Sequence, residues 1–204
     1  EIKNNVGVKI CEMQVAHLSN RESKAVEDHC DYLAVLSDWH GNLMLHSGMV
    51  YPDNKVVTLP NGVDINRYPK ELFQKKISKK ITDEVKFVYS SSPDRGLWQL
   101  LQSWPYIRKE FPKAELLVCY GANKWIEHVK WAHARILSKL QLEADAWLYP
   151  LDSIQSTETG CISAIENAAA GNPIITTDAD CMEDEFGKVG VIVDLPFEPE
   201  EFAV

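Results

Sequence analysis

The stretch AWLYPLDSIQSTETGCISAIENAAAGNPIITT, residues 146–177, has the pattern of a strand, a loop, a helix and a second strand. The apolar runs at 146–149 and 173–177 are typical of buried strands. The alanines before Gly171 are typical of a closely packed helix, which we expect to stop at that glycine. Because a strand-helix-strand unit places its two strands parallel in one sheet, this stretch predicts an α/β fold.

Apolar runs and helical segments alternate along the remainder of the chain as well. We predict further strands at 32–36, 55–59, 85–91, 115–120 and 191–193, and helices at 20–30, 38–48, 70–80, 124–142 and from Gly96 onward. Ser19 and Glu22 have the spacing of a capping box, and Pro105 is expected to kink or divide the helix that begins at Gly96. A proline and an Asn-Gly pair mark a sharp turn at 60–64, which we interpret as a domain boundary.

The composition excludes some classes of protein. Of the 204 residues, 45% are apolar and 25% are charged, a balance typical of a globular protein with one domain and a piece of another. The formal net charge of -9 argues against a protein that binds nucleic acid over its whole surface. A small anionic ligand is compatible with that charge, because it needs only a local cationic pocket or a helix N-terminus.

The cysteines and histidines show neither a disulfide framework nor a metal site. The five cysteines are scattered and none lies in a C-x-x-C pair, which predicts a reducing, cytoplasmic location. The six histidines lack metal-ligand spacing, so we expect no metal, and His17 alone is kept as an acceptor-side candidate. No apolar run has the length of a membrane span, so we expect no transmembrane segment, and the first residues lack the layout of a signal peptide.

The loop and helix at 150–171 form the first candidate site, because ligands of open parallel sheets bind at the carboxyl ends of the strands. On one continuous helix, Glu158 and Glu166 would lie about 12 Å apart along the axis. We therefore expect Glu158 in the loop and Glu166 on the helix.

The backbone amides of Gly160, Cys161 and Ile162 are expected at the positive end of that helix, where they can hold a diphosphate. Glu166 can then accept hydrogen bonds from ribose hydroxyls, and Glu158 can face a sugar. The alternative is that both glutamates are solvated surface residues, and their spacing alone does not decide between the two interpretations.

Four segments occur in the order found in one enzyme family. They are LPNGVD at 59–64, YSSSPDRGLWQLLQSWP at 89–105, ADAWLYP at 144–150, and the E-x7-E pattern of Glu158 and Glu166 with its small-residue helix and GNPII at 171–175. Over residues 30–194 they resemble the C-terminal, donor-binding domain of the retaining GT-B glycosyltransferases. The resemblance implies a Rossmann-like parallel sheet with helices on both faces, the C-terminal lobe of a GT-B fold, plus a remnant of the N-terminal lobe.

The same resemblance implies a division of labour along the chain. Residues 1–48 would be the tail of the N-terminal, acceptor-side lobe, and residues 49–204 the nucleotide-sugar-binding domain. The implied reaction transfers a sugar from a nucleotide-sugar donor to a glycan, lipid or small-molecule acceptor, with retention of configuration and without a metal. Two alternatives stay open: a non-catalytic nucleotide-sugar-binding module and a nucleotide-sugar epimerase.

The resemblance also implies catalytic roles for Glu158 and Arg95. Glu158 would lie near the transferred sugar. Arg95, where the family usually has lysine before glycine, would neutralise the diphosphate leaving group. Glu166 would bind the ribose. Without the resemblance, Arg95 would be interpreted as an exposed arginine in a turn.

Further substrate-binding candidates lie close to these residues in sequence. Ser91 and Ser92 follow the strand that precedes Arg95, where they can line a phosphate pocket or simply satisfy the loop. Glu183 stands where the family often has an acid near the donor sugar, although an acidic run is more often a solvated helix start.

Two parts of the family pattern have no match in the sequence. The glycine-rich loop and the catalytic-side histidine of the first lobe are missing. The segment 121–144 is too short for the family's additional strand and base-contacting loop as well as two helices, so the sequence does not identify the nucleotide base. Arg95 also stands alone where many relatives have two cations.

Overall fold

A computed structural model describes residues 7–16, 18–47, 51–80, 84–119, 130–152 and 157–203. The strands are β1 (Ile10–Glu12), β2 (Tyr32–Val35), β3 (Val56–Thr58), β4 (Lys86–Tyr89), β5 (Glu115–Val118), β6 (Ala146–Tyr149), β7 (Ile174–Thr177) and β8 (Val191–Val193). The helices are α1 (Asn20–His29), α2 (Asp38–His46), α3 (Lys70–Ile77), α4 (Leu97–Glu110), α5 (Lys130–Glu143), α6 (Ile162–Ala169) and α7 (Met182–Phe186). Every observed strand pair is parallel, which confirms the predicted α/β class.

The smaller sheet has three strands in the order β1-β2-β3. Its central strand, β2, pairs with a strand on each side and is buried at Leu33, Ala34 and Val35. Strand β3 belongs to this sheet, so the sheet extends past residue 48 as far as Thr58. The division of the chain into domains at residues 48 and 49 stays a prediction.

Two helices of the smaller sheet begin where the sequence predicts. Ser19 caps α1, and the Ser19 side chain and the Glu22 side chain each accept a hydrogen bond from the other residue's backbone, as a capping box does. Ser37 caps α2, with its side chain accepting from the His40 backbone N–H at 3.0 Å. The Ser19 cap fixes the start of α1, and the Ser37 cap fixes the start of α2 and therefore the loop that leaves β2.

The larger sheet has five parallel strands in the order β5-β4-β6-β7-β8. The second strand of this sheet along the chain, β5, lies at the edge, and the third, β6, lies on the other side of β4. The chain therefore reverses direction across the sheet between β4 and β6, and such a topological switch point is where open α/β sheets bind ligands.

The core of the larger sheet is centred on β6. All four β6 residues are buried, and Trp147 and Tyr149 stack with ring centroids 4.7 Å apart. Tyr89 of β4 and Leu100 of α4 are fully buried beside them. Because β6 is covered on both faces, its apolar sequence is continuous rather than alternating.

Helix α4 runs without interruption through Pro105, so the expectation that this proline divides the helix is wrong. Proline removes the hydrogen bond to the carbonyl four residues earlier, which here belongs to Leu101. Leu101 lies on the exposed side of α4, where water can satisfy that carbonyl. The predicted helix at 124–142 is observed as α5 from Lys130, and residues 124–129 lie outside the described residues.

The connection from α5 to β6 is short. Residues 130–143 form α5 and residues 121–129 lie outside the described residues, so the expected lack of an additional strand in 121–144 stays a prediction. Among the helices of the described ranges, none combines the length and the apolar character that crossing a membrane requires.

Candidate active site

Two loops meet at the switch point: the loop from β4 to α4 and the loop from β6 to α6. Gly96, which caps α4, has a left-handed backbone with φ 93°. A side chain at this position would overlap the carbonyl oxygen of Pro150, so only glycine fits. This close approach fixes Arg95, the residue before the glycine, over the start of the second loop.

Glu158 lies in the second loop, as predicted, and is 8% exposed. One of its carboxylate oxygens, Oε2, pairs with the Arg95 guanidinium and accepts a hydrogen bond from the Tyr149 hydroxyl at 3.0 Å. The Glu158 backbone N–H donates to Asp180 Oδ2 at 2.8 Å. The carboxylate of Glu158 is therefore held in place by a cation and a phenol.

The pKa values of Arg95 and Tyr149 are both changed by their contact with Glu158. Burial opposes the charge of Arg95, but the contact with Glu158 outweighs it and raises the pKa of the guanidinium. Burial, with the neighbouring Cys161 and Glu158, raises the pKa of Tyr149, so its hydroxyl keeps its proton and acts as a donor. The structure thus brings together the two residues assigned catalytic roles in the sequence.

Helix α6 begins at Ile162 with Cys161 as its cap residue, and no side chain caps it. The cap position is nevertheless occupied, because the Cys161 backbone N–H donates to Glu185 Oε2 at 3.1 Å. Burial raises the pKa of Glu185. Of the three amides predicted for a diphosphate, the Cys161 amide is already bound to a carboxylate.

The smaller sheet contributes to the same loop. Ser37 donates to the Thr159 carbonyl at 2.9 Å, and Asn61 donates through Nδ2 to the Gly160 carbonyl at 3.0 Å. A side chain at Gly160 would approach the Leu36 Cβ to 2.6 Å. The loop that carries Glu158 is therefore packed against the segments that follow β2 and β3.

Glu166 lies on α6, as predicted, and is 9% exposed. Its Oε1 pairs with Arg67 Nη1 at 2.8 Å, and its Oε2 accepts from Gln141 Nε2 at 3.4 Å. Sequence reasoning did not identify Arg67. The available signal was its place three residues after Asp64, whose side chain caps a single helical turn, Ile65–Arg67.

The serines after β4 have different surroundings. The Ser90 hydroxyl is buried and accepts from the Trp147 and Asn167 side chains at 3.1 and 3.0 Å. Ser91 donates to the Tyr149 hydroxyl at 3.3 Å, which places it next to Glu158. Ser92 accepts from the Tyr89 hydroxyl through its carbonyl, so its backbone closes the turn.

The remaining sequence candidates are placed less centrally. Glu183 is exposed in the first turn of α7, and the acid of that run that reaches the loop is Glu185. Ile162 is half exposed at the start of α6. His17 lies outside the described residues. Within the described ranges, no group of three or more His, Cys, Asp or Glu side chains is arranged to hold a metal ion.

Comparisons with known proteins identify similar folds. No protein-family model matches the sequence, and no curated protein matches it. HepE from Anabaena, solved with UDP and glucose, has a TM-score of 0.62 at 13% identity over 95% of this chain and 59% of its own. A glycosyltransferase from Rickettsia africae has a TM-score of 0.63 at 14% identity over 95% of this chain and 58% of its own.

Sucrose-phosphate synthase from Thermosynechococcus elongatus has a TM-score of 0.59 at 17% identity, over 88% of this chain and 49% of its own. The chain thus spans between about half and three-fifths of the length of these structures. At these identities the likeness establishes the fold. The protein has parallel sheets flanked by helices, and its architecture is that of a GT-B, Rossmann-like lobe.

Proposed function

We propose that this chain binds a nucleotide-sugar at the switch point and takes part in transferring the sugar to an acceptor with retention of configuration. The observation that carries the proposal is the convergence of Glu158 and Arg95 at the carboxyl edge of the sheet, just before the start of α6, with Glu166 about one turn into that helix. Two buried carboxylates flanking a helix start match a donor with a diphosphate between a sugar and a ribose.

Within this proposal, Arg95 exchanges its contact with Glu158 for the diphosphate as negative charge develops on the leaving group. The forked guanidinium can bind two phosphate oxygens and stabilise that charge. Glu158, freed from Arg95, then faces the sugar, and Tyr149 keeps its carboxylate oriented. The amides of Gly160 and Ile162 and the hydroxyls of Ser91 and Ser92 line the phosphate side, with Glu183 assigned to the donor-sugar side.

Glu166 binds the ribose hydroxyls in this proposal, and its ion pair with Arg67 fixes the position of its carboxylate. HepE was solved with UDP-glucose, and the pneumococcal O-GlcNAc transferase GtfA with UDP and GlcNAc. Those structures support testing UDP-sugars first. We propose further that no metal takes part, that the acceptor is a glycan, lipid or small molecule, and that residues 1–48 and 49–204 belong to different lobes.

The reducing compartment predicted from the sequence is retained here as a proposal. All five cysteines are free thiols in the structure, and Cys161 and Cys181 are buried. A cytoplasmic location would keep them reduced.

Calorimetry with UDP-glucose, UDP-N-acetylglucosamine and other nucleotide-sugars tests donor binding. We expect at least one donor to bind, and Arg95→Gln to weaken that binding about tenfold or more, because a charged contact to the diphosphate is lost. Arg108→Gln, on the exposed end of α4, is the matched control and should bind as the parent does. Failure of every donor to bind contradicts the proposal.

The second candidate is a non-catalytic nucleotide-sugar-binding module. It is favoured by the contacts already made in the site: Arg95 neutralises Glu158, and Glu185 occupies the Cys161 amide. If donors bind but no product forms with any acceptor, this candidate replaces the first. Turnover by this chain alone eliminates it, and NMR of the product's anomeric carbon then tests retention.

A further inference from the structure

A second cleft lies between α3 and α5, on the side of the larger sheet where strands begin. Its volume is about 730 Å³, which is in the range of small-molecule sites. Lys76 contacts Asn172, which precedes β7, and Lys79 pairs with Asp145, which precedes β6. The cleft therefore extends toward the amino edge, whereas Glu158 and Arg95 lie at the carboxyl edge.

The cleft is cationic in a chain whose overall charge is negative. Six basic side chains line it against three carboxylates: Arg67, Lys75, Lys76, Lys79, Arg135 and Lys139 against Asp64, Glu143 and Asp145. The carboxylates are engaged locally. Asp145 binds Lys79 at 2.6 Å, Glu143 faces Lys139 at 3.8 Å, and Asp64 caps a helical turn.

Several of the basic side chains in the cleft have no partner of opposite charge among the described residues. In the described part of the chain, the Lys75 and Arg135 side chains make no hydrogen bond or ion pair. The Lys76 ammonium donates to two neutral oxygens, the Gln141 carbonyl at 2.9 Å and the Asn172 side chain. The cleft thus holds positive charge that an incoming anion can neutralise.

Lys76 shows the cost of burying positive charge in this cleft. Its pKa is lowered from 10.5 to about 8, first by burial, with Lys79 adding to the depression and Asp145 opposing it. An anion close to its ammonium would offset both the cost of burying the charge and the repulsion from Lys79. The lining also has an apolar part, which we call the apolar floor and which consists of Pro69, Leu72, Leu142 and Ala144.

We infer that this cleft is a binding site for a small phosphate ester, with the phosphate on Lys75, Lys76 and Arg135 and the organic part on the apolar floor. A phosphate dianion matches several unpaired donors better than a single carboxylate does. The apolar floor indicates an ester, because a bare phosphate ion would leave these apolar side chains exposed to water, whereas an organic group would cover them. One lining residue, Arg67, also pairs with Glu166 of the proposed donor site. The phosphate is assigned to Lys75, Lys76 and Arg135, which have no role in that site, so the inference does not depend on it.

Calorimetric and NMR titrations with phenyl phosphate and inorganic phosphate provide the test. We expect phenyl phosphate to bind with a Kd of about 0.1 to 1 mM, and inorganic phosphate to bind several-fold more weakly. The double variant Lys75→Gln, Arg135→Gln should weaken phenyl phosphate binding about tenfold or more. Leu72→Asn, at a half-exposed floor position, should remove the preference for the ester but not the binding of phosphate.

Two controls make the result specific. Arg108→Gln, Lys109→Gln changes the net charge equally on an exposed turn of α4 and should leave binding unchanged. Arg95→Gln should also bind phenyl phosphate normally, because it alters only the carboxyl edge. Loss of binding in either control overturns the inference, since the anion would then be held by overall charge or by the donor loop.

Four further outcomes overturn it. The first is no binding of phenyl phosphate up to about 10 mM. The second is equal affinity for the ester and the bare ion. The third is sedimentation of the protein with phosphatidylglycerol vesicles without saturable binding of phenyl phosphate, which would identify a membrane surface as the partner. The fourth is an unchanged Lys76 pKa. We expect NMR to show this pKa rising when phenyl phosphate binds, and an unchanged value would place the anion elsewhere.

Discussion

The two edges of the larger sheet handle charge in opposite ways. At the carboxyl edge, Glu158 is buried and matched to a single cation, Arg95. At the amino edge, cations outnumber acids and Lys76 is held by neutral oxygens. The net charge of -9 therefore describes neither site, because the charge of each site is set by its local packing.

The difference has a physical origin in the loops. At the carboxyl edge, the loops after β4 and β6 fold over one another, so Arg95 and Glu158 lose water together. At the amino edge, α3 and α5 lie side by side and present long basic side chains to an open cleft. We therefore expect a substitution at one edge to change the free energy of unfolding by a different amount from the same substitution at the other edge.

The largest expected effect comes from Gly96→Ala at the carboxyl edge. The new methyl group would overlap the Pro150 carbonyl, and the left-handed backbone disfavours alanine. We expect a loss of about 3 kcal/mol or more in the free energy of unfolding, measured in urea. Gly62→Ala, with open space around it, is the control and should stay within about 0.5 kcal/mol. Equal stability of both variants would show that the loops do not meet as described.

Arg95→Ala should rank second. It leaves the Glu158 carboxylate buried with only the Tyr149 hydroxyl, and breaking a buried pair costs about 3 to 5 kcal/mol. Because the Arg95 side chain is 30% exposed, we expect about 2 kcal/mol here. Arg95→Lys should recover part of the loss. A urea midpoint unchanged by Arg95→Ala would contradict a stabilising ion pair at the carboxyl edge.

Glu166→Gln should cost less than Arg95→Ala. The amide keeps the shape and one acceptor oxygen, but Arg67 loses its opposite charge. We expect a loss of about 1 to 2 kcal/mol in urea. If Arg67→Gln and the double variant lose no more than Glu166→Gln alone, the two residues act as a pair, whereas additive losses would contradict the contact.

Lys76→Met probes the amino edge and should have the smallest effect. The Lys76 pKa is lowered to about 8 in the folded protein, so between about pH 8 and 10.5 the unfolded chain binds more protons. The wild type should therefore gain stability relative to Lys76→Met as the pH rises through this window. Lys76→Arg, which keeps its proton, should lack that gain. A pH-independent difference in urea midpoints between the wild type and Lys76→Met would contradict the depressed pKa.

Much of the fold follows from the sequence, because strand and helix signals are local. The β6-to-β7 unit, the capping box at Ser19 and the loop position of Glu158 all agree with expectation. The division of α4 at Pro105 is not observed, because the local rule does not register that Leu101 lies on the exposed side of the helix.

The side-chain partners of the site were harder to anticipate. Arg67 and Glu166 are 99 residues apart in sequence, and their contact depends on how α6 packs against the turn after the LPNGVD segment. The occupation of the Cys161 amide by Glu185 likewise follows from the return of the chain after β7. The family resemblance supplied Arg95 and Glu158 individually, but their direct pairing is a finding of the structure.

The loop bearing Glu158 is hydrogen-bonded to Ser37 and Asn61 of the segments that follow β2 and β3. If the two sheets hinge apart, the loop must either break both bonds or travel with the smaller sheet, and in the second case Glu158 is drawn away from Arg95. Opening of the protein and exposure of the carboxylate would then be one mechanical event, so the arginine would become available to an anion at the moment the entrance widens.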